Sequence, residues 1–149
     1  RCRGTNNILD LGCSWGYVLN EIGGLVGVDK SIESIEKAKE NFPNKTFYCL
    51  DITEGLPFKD KEFDIVVLAD VLEHIEYDLV PSIVNVAKML AKDKVLITFP
   101  WREDEKCKYC FKHKWVPDWE KIVHLCGNGK ITTDGVFVYV EINCEDTDK

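Results

Sequence analysis

The sequence has no run close to the ~20 consecutive apolar residues that a membrane-spanning helix needs. Its opening residues, Arg1-Cys2-Arg3-Gly4-Thr5-Asn6-Asn7, contain no apolar segment of the secretory-signal kind. It also lacks a surplus of positive charge: 19 Lys and Arg stand against 26 Asp and Glu, a formal net charge of -7. That balance argues against a surface that holds nucleic-acid phosphates through a general basic field, and favours a small-molecule or protein substrate. Internal repeats and low-complexity linkers are absent, so residues 1–149, 45% of them hydrophobic, are expected to form a single domain around one core. The seven cysteines are an odd set at irregular spacings, and Cys13 and Cys49 fall in or beside apolar strand patterns where a free thiol acts as a small hydrophobe. A reducing, cytoplasmic setting and a soluble protein are the expectation.

What is present alternates short apolar, β-rich runs with amphipathic stretches, the signature of strands and crossover helices in a doubly wound sheet. Strands are expected over residues 7–11, 25–29, 45–50, 63–68 and 94–99. Helices are expected over about 15–22, 32–41, 79–91 and from Pro117 to about 125. Ser31 is a candidate N-cap for the second helix, and Asn41-Phe42-Pro43 ends it. Residues 130–133 and 136–142, joined by Asp134-Gly135, carry the strongest hairpin signal and should close the sheet as an antiparallel pair.

The chemistry concentrates where strands end. In Ile8-Leu9-Asp10-Leu11-Gly12-Cys13-Ser14-Trp15-Gly16, small residues alternate where a strand must turn sharply into a helix, so a ligand can approach bare backbone. The following helix is expected to offer free N–H groups to an anionic group such as an amino-acid carboxylate. Asp10, within the strand, would favour a bound ammonium or sulfonium. A dinucleotide fingerprint would need glycine five residues after Gly12, where Tyr17 stands. Asp29, at the second strand tip, can accept hydrogen bonds from a ribose diol. Asp51, at the third, suits an adenine amino group, with Ile52 against the ring face. Three carboxylates thus mark three successive strand tips, the edge along which open parallel sheets bind ligands.

Residues 8–16, Val28-Asp29, residues 49–52, Leu56-Pro57-Phe58 and Phe63-Asp64-Ile65-Val66-Val67-Leu68-Ala69-Asp70-Val71-Leu72-Glu73-His74-Ile75 together resemble the class I S-adenosylmethionine-dependent methyltransferases, in particular the small-molecule, ubiquinone-biosynthesis-like group. The resemblance covers residues 8 to about 99. It implies an α/β, Rossmann-like doubly wound sheet with parallel strands ordered 3-2-1-4-5, finished by a C-terminal antiparallel hairpin. It implies S-adenosyl-L-methionine as cofactor, with Gly12, Ser14 and Gly16 around the methionine portion, Asp29 on the ribose and Asp51 on the adenine. Leu68 and Ala69 would offer backbone carbonyls near the methionine amino group. Ser14 departs from the pattern, which usually has glycine there. The family also commonly has a helical segment ahead of its first strand that helps to cover the active site.

Methyl transfer from a sulfonium is an in-line displacement whose donor is already activated, so alignment and desolvation can supply most of the acceleration. His74 is the candidate base for an acceptor hydroxyl, and its alternative is a turn-organising role shared with Glu73. Cys107, Cys110 and His113 have the spacing of a small zinc knuckle, although the sequence offers no second close cysteine pair; reduced cysteines in a lid are the other reading. Trp101, Tyr109, Phe111, Trp115 and Trp119 gather in the same region. Residues 101–116 are therefore expected to form an acceptor-side lid, with core packing as the alternative role for the aromatics. The expected activity is methyl transfer to a small-molecule acceptor. Its rivals are an NAD-linked oxidoreductase on the same architecture, disfavoured by glycine spacing and the lack of a Tyr-x-x-x-Lys pair, and a catalytically silent cofactor-binding subunit.

Overall fold

The computed structural model describes residues 7–100, 113–115 and 117–144. One seven-stranded sheet organises them. Its strands are β1 (Ile8–Leu11), β2 (Val26–Asp29), β3 (Thr46–Cys49), β4 (Phe63–Ala69), β5 (Ala91–Pro100), β6 (Lys130–Thr133) and β7 (Phe137–Asn143), lying side by side in the order 3-2-1-4-5-7-6. The first five are parallel; β7 runs antiparallel to β5 from Lys94↔Asn143 to Pro100↔Phe137, and β6 antiparallel to β7. The expected strand order and closing hairpin are both present.

The core follows from the two-residue period of a strand. Leu9 and Leu11 join Val66, Leu68, Val95, Ile97 and Phe99 on one face, together with Val80, Ile83, Val84, Ala87 and Leu90 of α3 (Val80–Leu90) and Ile122 and Leu125 of α4 (Trp119–Cys126). Each fully buried Val, Leu or Ile there is worth roughly 1.5–3 kcal/mol. On the opposite face, Ile8 packs with Ile65 and Val67. Nearby, α1 (Tyr17–Glu21) and α2 (Ile32–Asn41) cover Cys13 and Phe47 with Leu19, Ile35 and Ala38. Asp10 alternates with Leu9 and Leu11, so it lies on the face of Ile8.

Several expected boundaries move for local reasons. Helix α1 begins at Tyr17 rather than 15, because Gly16 adopts a left-handed φ of 83° that a helix cannot include. The N-cap of α4 is Asp118, whose carboxylate accepts from Lys121 N–H at 2.9 Å, so the helix starts after Pro117 rather than on it. Strand β5 begins at Ala91, directly after α3, and Ala91 reaches Phe63 across a bulge between Phe63 and Ile65. Two short 3-10 turns, Leu72–His74 and Tyr77–Leu79, follow β4. They were not expected from periodicity, since three-residue turns carry none. Among the described residues, no helix is long and apolar enough to cross a membrane.

Candidate functional site

The carboxyl tips of β1, β2 and β3 converge on an open cleft of about 460 Å³, counting the solvent at its mouth. Gly12 forms part of its floor, Asp29 and Asp51 supply acid, and Leu50, Ile52 and Val71 make its lining mainly apolar. This is the usual composition of a small-molecule site, a greasy wall with few, placed polar groups.

The turn after β1 is held closed by backbone. Gly12 N–H and Cys13 N–H both donate to Val28 carbonyl, at 2.8 and 2.9 Å, and Gly16 N–H donates to Cys13 carbonyl. Gly12 sits at φ 83°, and a Cβ there would run into the Val71 side chain, 2.9 Å from its Cβ. Ser14 also takes a left-handed φ, 47°, at the position where the resembling family usually has glycine. Its N–H is engaged by Asp29 Oδ2 at 2.9 Å. The N–H groups of residues 12, 13, 14 and 16 are thus spent within the protein, and α1 is only five residues long. The turn therefore leaves fewer of its own N–H groups for an anionic ligand than its small residues suggest.

Asp29 does more than the sequence suggested. Its Oδ1 accepts from Ser31 N–H at 2.9 Å while Oδ2 holds Ser14, so one carboxylate ties the β1 turn to the start of α2. Each oxygen keeps a further lone pair for a ligand donor. Asp51 Oδ1 accepts both the N–H and the hydroxyl of Thr53, at 2.9 and 2.7 Å, which holds its carboxyl below the usual range and fixes it as an anion at the cleft. Thr53 could have been anticipated from its Asp-x-Thr spacing; Val71, Leu50 and Ile75, brought in from separate loops, could not.

Asp10 is 1% exposed, and neither carboxylate oxygen has a hydrogen-bond partner. Burial, and then the charge of Asp29, pushes its pKa up to about 7. An isolated buried carboxylate is costly, and a cation nearby would relieve it. The neighbouring Cys13 thiol is likewise pushed far above its ordinary range, chiefly by burial.

The remaining expected residues divide. His74 is exposed and lines the cleft, on the 3-10 turn after β4. Leu68 is fully buried in the core, and Ala69 borders a different groove, on the Ile8 face of the sheet, with Val67, Leu96, Thr98 and Tyr139. Gly16 is buried behind the turn, and Ser14 is exposed but not part of the cleft lining. Cys107, Cys110 and Trp101 lie outside the described residues. Trp115, expected in a lid over 101–116, is 9% exposed within the core, edge to face with Tyr77 and Phe99, and its indole N–H donates to Leu72 carbonyl at 3.0 Å. His113 stands beside Glu73 and His74.

The described free cysteines are Cys13, Cys49, Cys126 and Cys144.

Comparison with known proteins bears on this arrangement. Residues 9–98 match the profile of a methyltransferase domain. The chain is 34% identical over 96 residues to a ubiquinone biosynthesis O-methyltransferase of Bartonella quintana, covering 60% of this chain and 38% of that one. It is 32% identical over 82 residues to the mitochondrial ubiquinone biosynthesis O-methyltransferase of Candida albicans, covering 47% and 25%. The chain therefore spans well under half the length of these curated relatives. Among solved structures, magnesium protoporphyrin IX methyltransferase of Synechocystis with bound S-adenosylmethionine superimposes with a TM-score of 0.68 at 18% identity, over 93% of this chain and 70% of that one.

Proposed function

This chain belongs to the methyltransferase-domain family, whose cofactor is S-adenosylmethionine, and from that premise we propose that the cleft holds this cofactor for methyl transfer to a small-molecule acceptor. The observation that carries the reading is the pairing of two strand-tip carboxylates, Asp29 and Asp51, with Gly12 and an apolar wall in one cleft. The residues fit the group. Asp29, already oriented by Ser14 and Ser31, has lone pairs left for a ribose diol. Asp51, held anionic by Thr53, would accept from an adenine amino group, and Ile52 and Val71 would supply apolar surface for the ring. Asp10, two residues before Gly12 on β1, is buried without a hydrogen-bond partner, and its ionised form would favour a cationic head on the ligand.

When bound, the cofactor supplies a methyl group already activated on a sulfonium. The protein's part is to exclude water, align the donor and receive the proton of the acceptor. His74, exposed at the cleft, is the imidazole we assign to an acceptor hydroxyl.

Titration calorimetry with S-adenosylhomocysteine and, separately, NADH tests the cofactor. Saturable heat with the first and none with the second is the expected result; saturable heat with NADH alone would replace this reading with the oxidoreductase. A screen of hydroxylated acceptors for release of S-adenosylhomocysteine separates an active enzyme from a silent subunit.

A further inference from the structure

We propose that Glu73, His74 and His113 form a site for a divalent transition-metal ion at the acceptor end of the cleft. Each offers one ligand atom, and these atoms lie within 4.8 Å of one another. Glu73 and His74 are adjacent on the 3-10 turn after β4, while His113 arrives from nearly forty positions along the chain, after β5.

That second element is fixed rather than casually near. Lys114 backbone N–H donates to Glu73 carbonyl at 2.7 Å, and the Trp115 indole Nε1–H donates to Leu72 carbonyl at 3.0 Å, with the indole sunk in the core between Tyr77 and Phe99. Residues 113–115 are thereby bolted to the turn that carries the other two ligands. The two imidazoles meet edge to face with ring centres 4.5 Å apart.

The chemistry of the set selects the ion. Two imidazoles and one carboxylate suit zinc and its first-row neighbours rather than calcium, which takes an all-oxygen shell. Three protein ligands leave a position open, the arrangement of catalytic rather than structural zinc. Glu73 is 1% exposed, so it is shielded from water, while His74 faces the cleft. The open position would take an oxygen of the acceptor, which narrows the acceptor class to hydroxyl-bearing molecules. His74 would then serve as a ligand rather than as the base assigned above: the ion would lower the pKa of that hydroxyl, its proton would leave to solvent through the open cleft, and the O–C bond would form as the donor's S–C bond breaks. This catalytic use rests on the methyl-transfer reading; the site itself does not.

The site also reassigns His113. In the sequence it paired most naturally with Cys107 and Cys110, and the two settings make opposite forecasts. Zn²⁺ is titrated by calorimetry into chelator-treated, reduced protein. One equivalent should bind; His74→Ala and His113→Ala should each weaken it at least tenfold, within the range seen on loss of metal ligands or their supports. The double variant Cys107→Ser, Cys110→Ser should stay within threefold. Co²⁺ in the same protein should show visible bands without near-ultraviolet thiolate absorption. Absence of binding, or binding lost in the cysteine variant and kept in both histidine variants, overturns the proposal. His74 is exposed, so its variant guards against a folding artefact. S-adenosylhomocysteine affinity in His113→Ala, expected within threefold of the parent, reports separately on the cofactor reading.

Discussion

The two halves of the sheet's carboxyl edge are built in different ways. On the β1–β2–β3 side, the turn at residues 12–16, Asp29 and Asp51 are locked by partners in the same turn or on the adjacent strand: Val28, Ser14 and Ser31, and Thr53. On the β4–β5 side, the site depends on chain segments far apart in sequence, with Trp115 bonded to Leu72 and His113 beside Glu73 and His74. Within that second half, the left-handed Asp70, φ 51°, is tied to β5 by Thr98, whose hydroxyl donates to Asp70 Oδ1 at 2.7 Å.

The largest effect should fall on the donor side. Gly12→Val combines a disfavoured left-handed backbone with a collision against Val71, each costing roughly 1–3 kcal/mol. We expect loss of S-adenosylhomocysteine binding by calorimetry and a lowered Tm. Gly12→Ala combined with Val71→Ala should recover part of that stability, because only the steric share is relieved. Full recovery would show that the backbone at Gly12 is not strained.

Trp115→Ala probes the other side. Removing a buried indole that also satisfies Leu72 carbonyl should cost about 3–5 kcal/mol. A variant with unchanged Tm and slowed turnover would return Trp115 to the acceptor lid and remove the difference between the two halves. Asp29→Ala comes next, at about 1–3 kcal/mol of cofactor affinity. It should also lower the Tm, since the carboxylate clamps Ser14 to Ser31.

Asp10 gives the comparison a pH dependence. Its carboxyl is raised to about 7 in the fold, so between about pH 4 and 7 the native state keeps a proton that the unfolded chain has released. This group's contribution therefore falls as pH rises through that window, by an amount on the order of 4 kcal/mol. The Tm of Asp10→Asn minus that of the parent should grow from pH 4 to 7 and then level off. Affinity for a cationic ligand should rise with pH over the same window in the parent and stay flat in the variant. A parallel pair of Tm profiles would contradict the buried charge. The smallest effect belongs to Ser14→Gly, which relieves a left-handed serine but loosens the unfolded chain, so the change should stay within about 1 kcal/mol.

The contrast also explains what could be read in advance. Asp29, Asp51 and the Gly12 turn were legible because each stands at the end of an apolar strand run, and strand order followed from the family resemblance. The double clamp by Asp29 was not, since it needs Ser14 in a left-handed conformation that serine rarely adopts. Nor were the turn's own hydrogen bonds, which engage the N–H groups of residues 12, 13, 14 and 16. The sequence left Trp115 between lid and core and did not bring His113 to Glu73, because contacts from Leu72 to Trp115 and from Glu73 to His113 leave no periodic trace.

A crystal structure with S-adenosylhomocysteine tests the central claim most directly. The adenine should lie beside Asp51 and Ile52 and the ribose on Asp29. Density in the opposite groove, beside Val67, Leu96 and Tyr139, with Asp29 bonded only to Ser14 and Ser31, would contradict it.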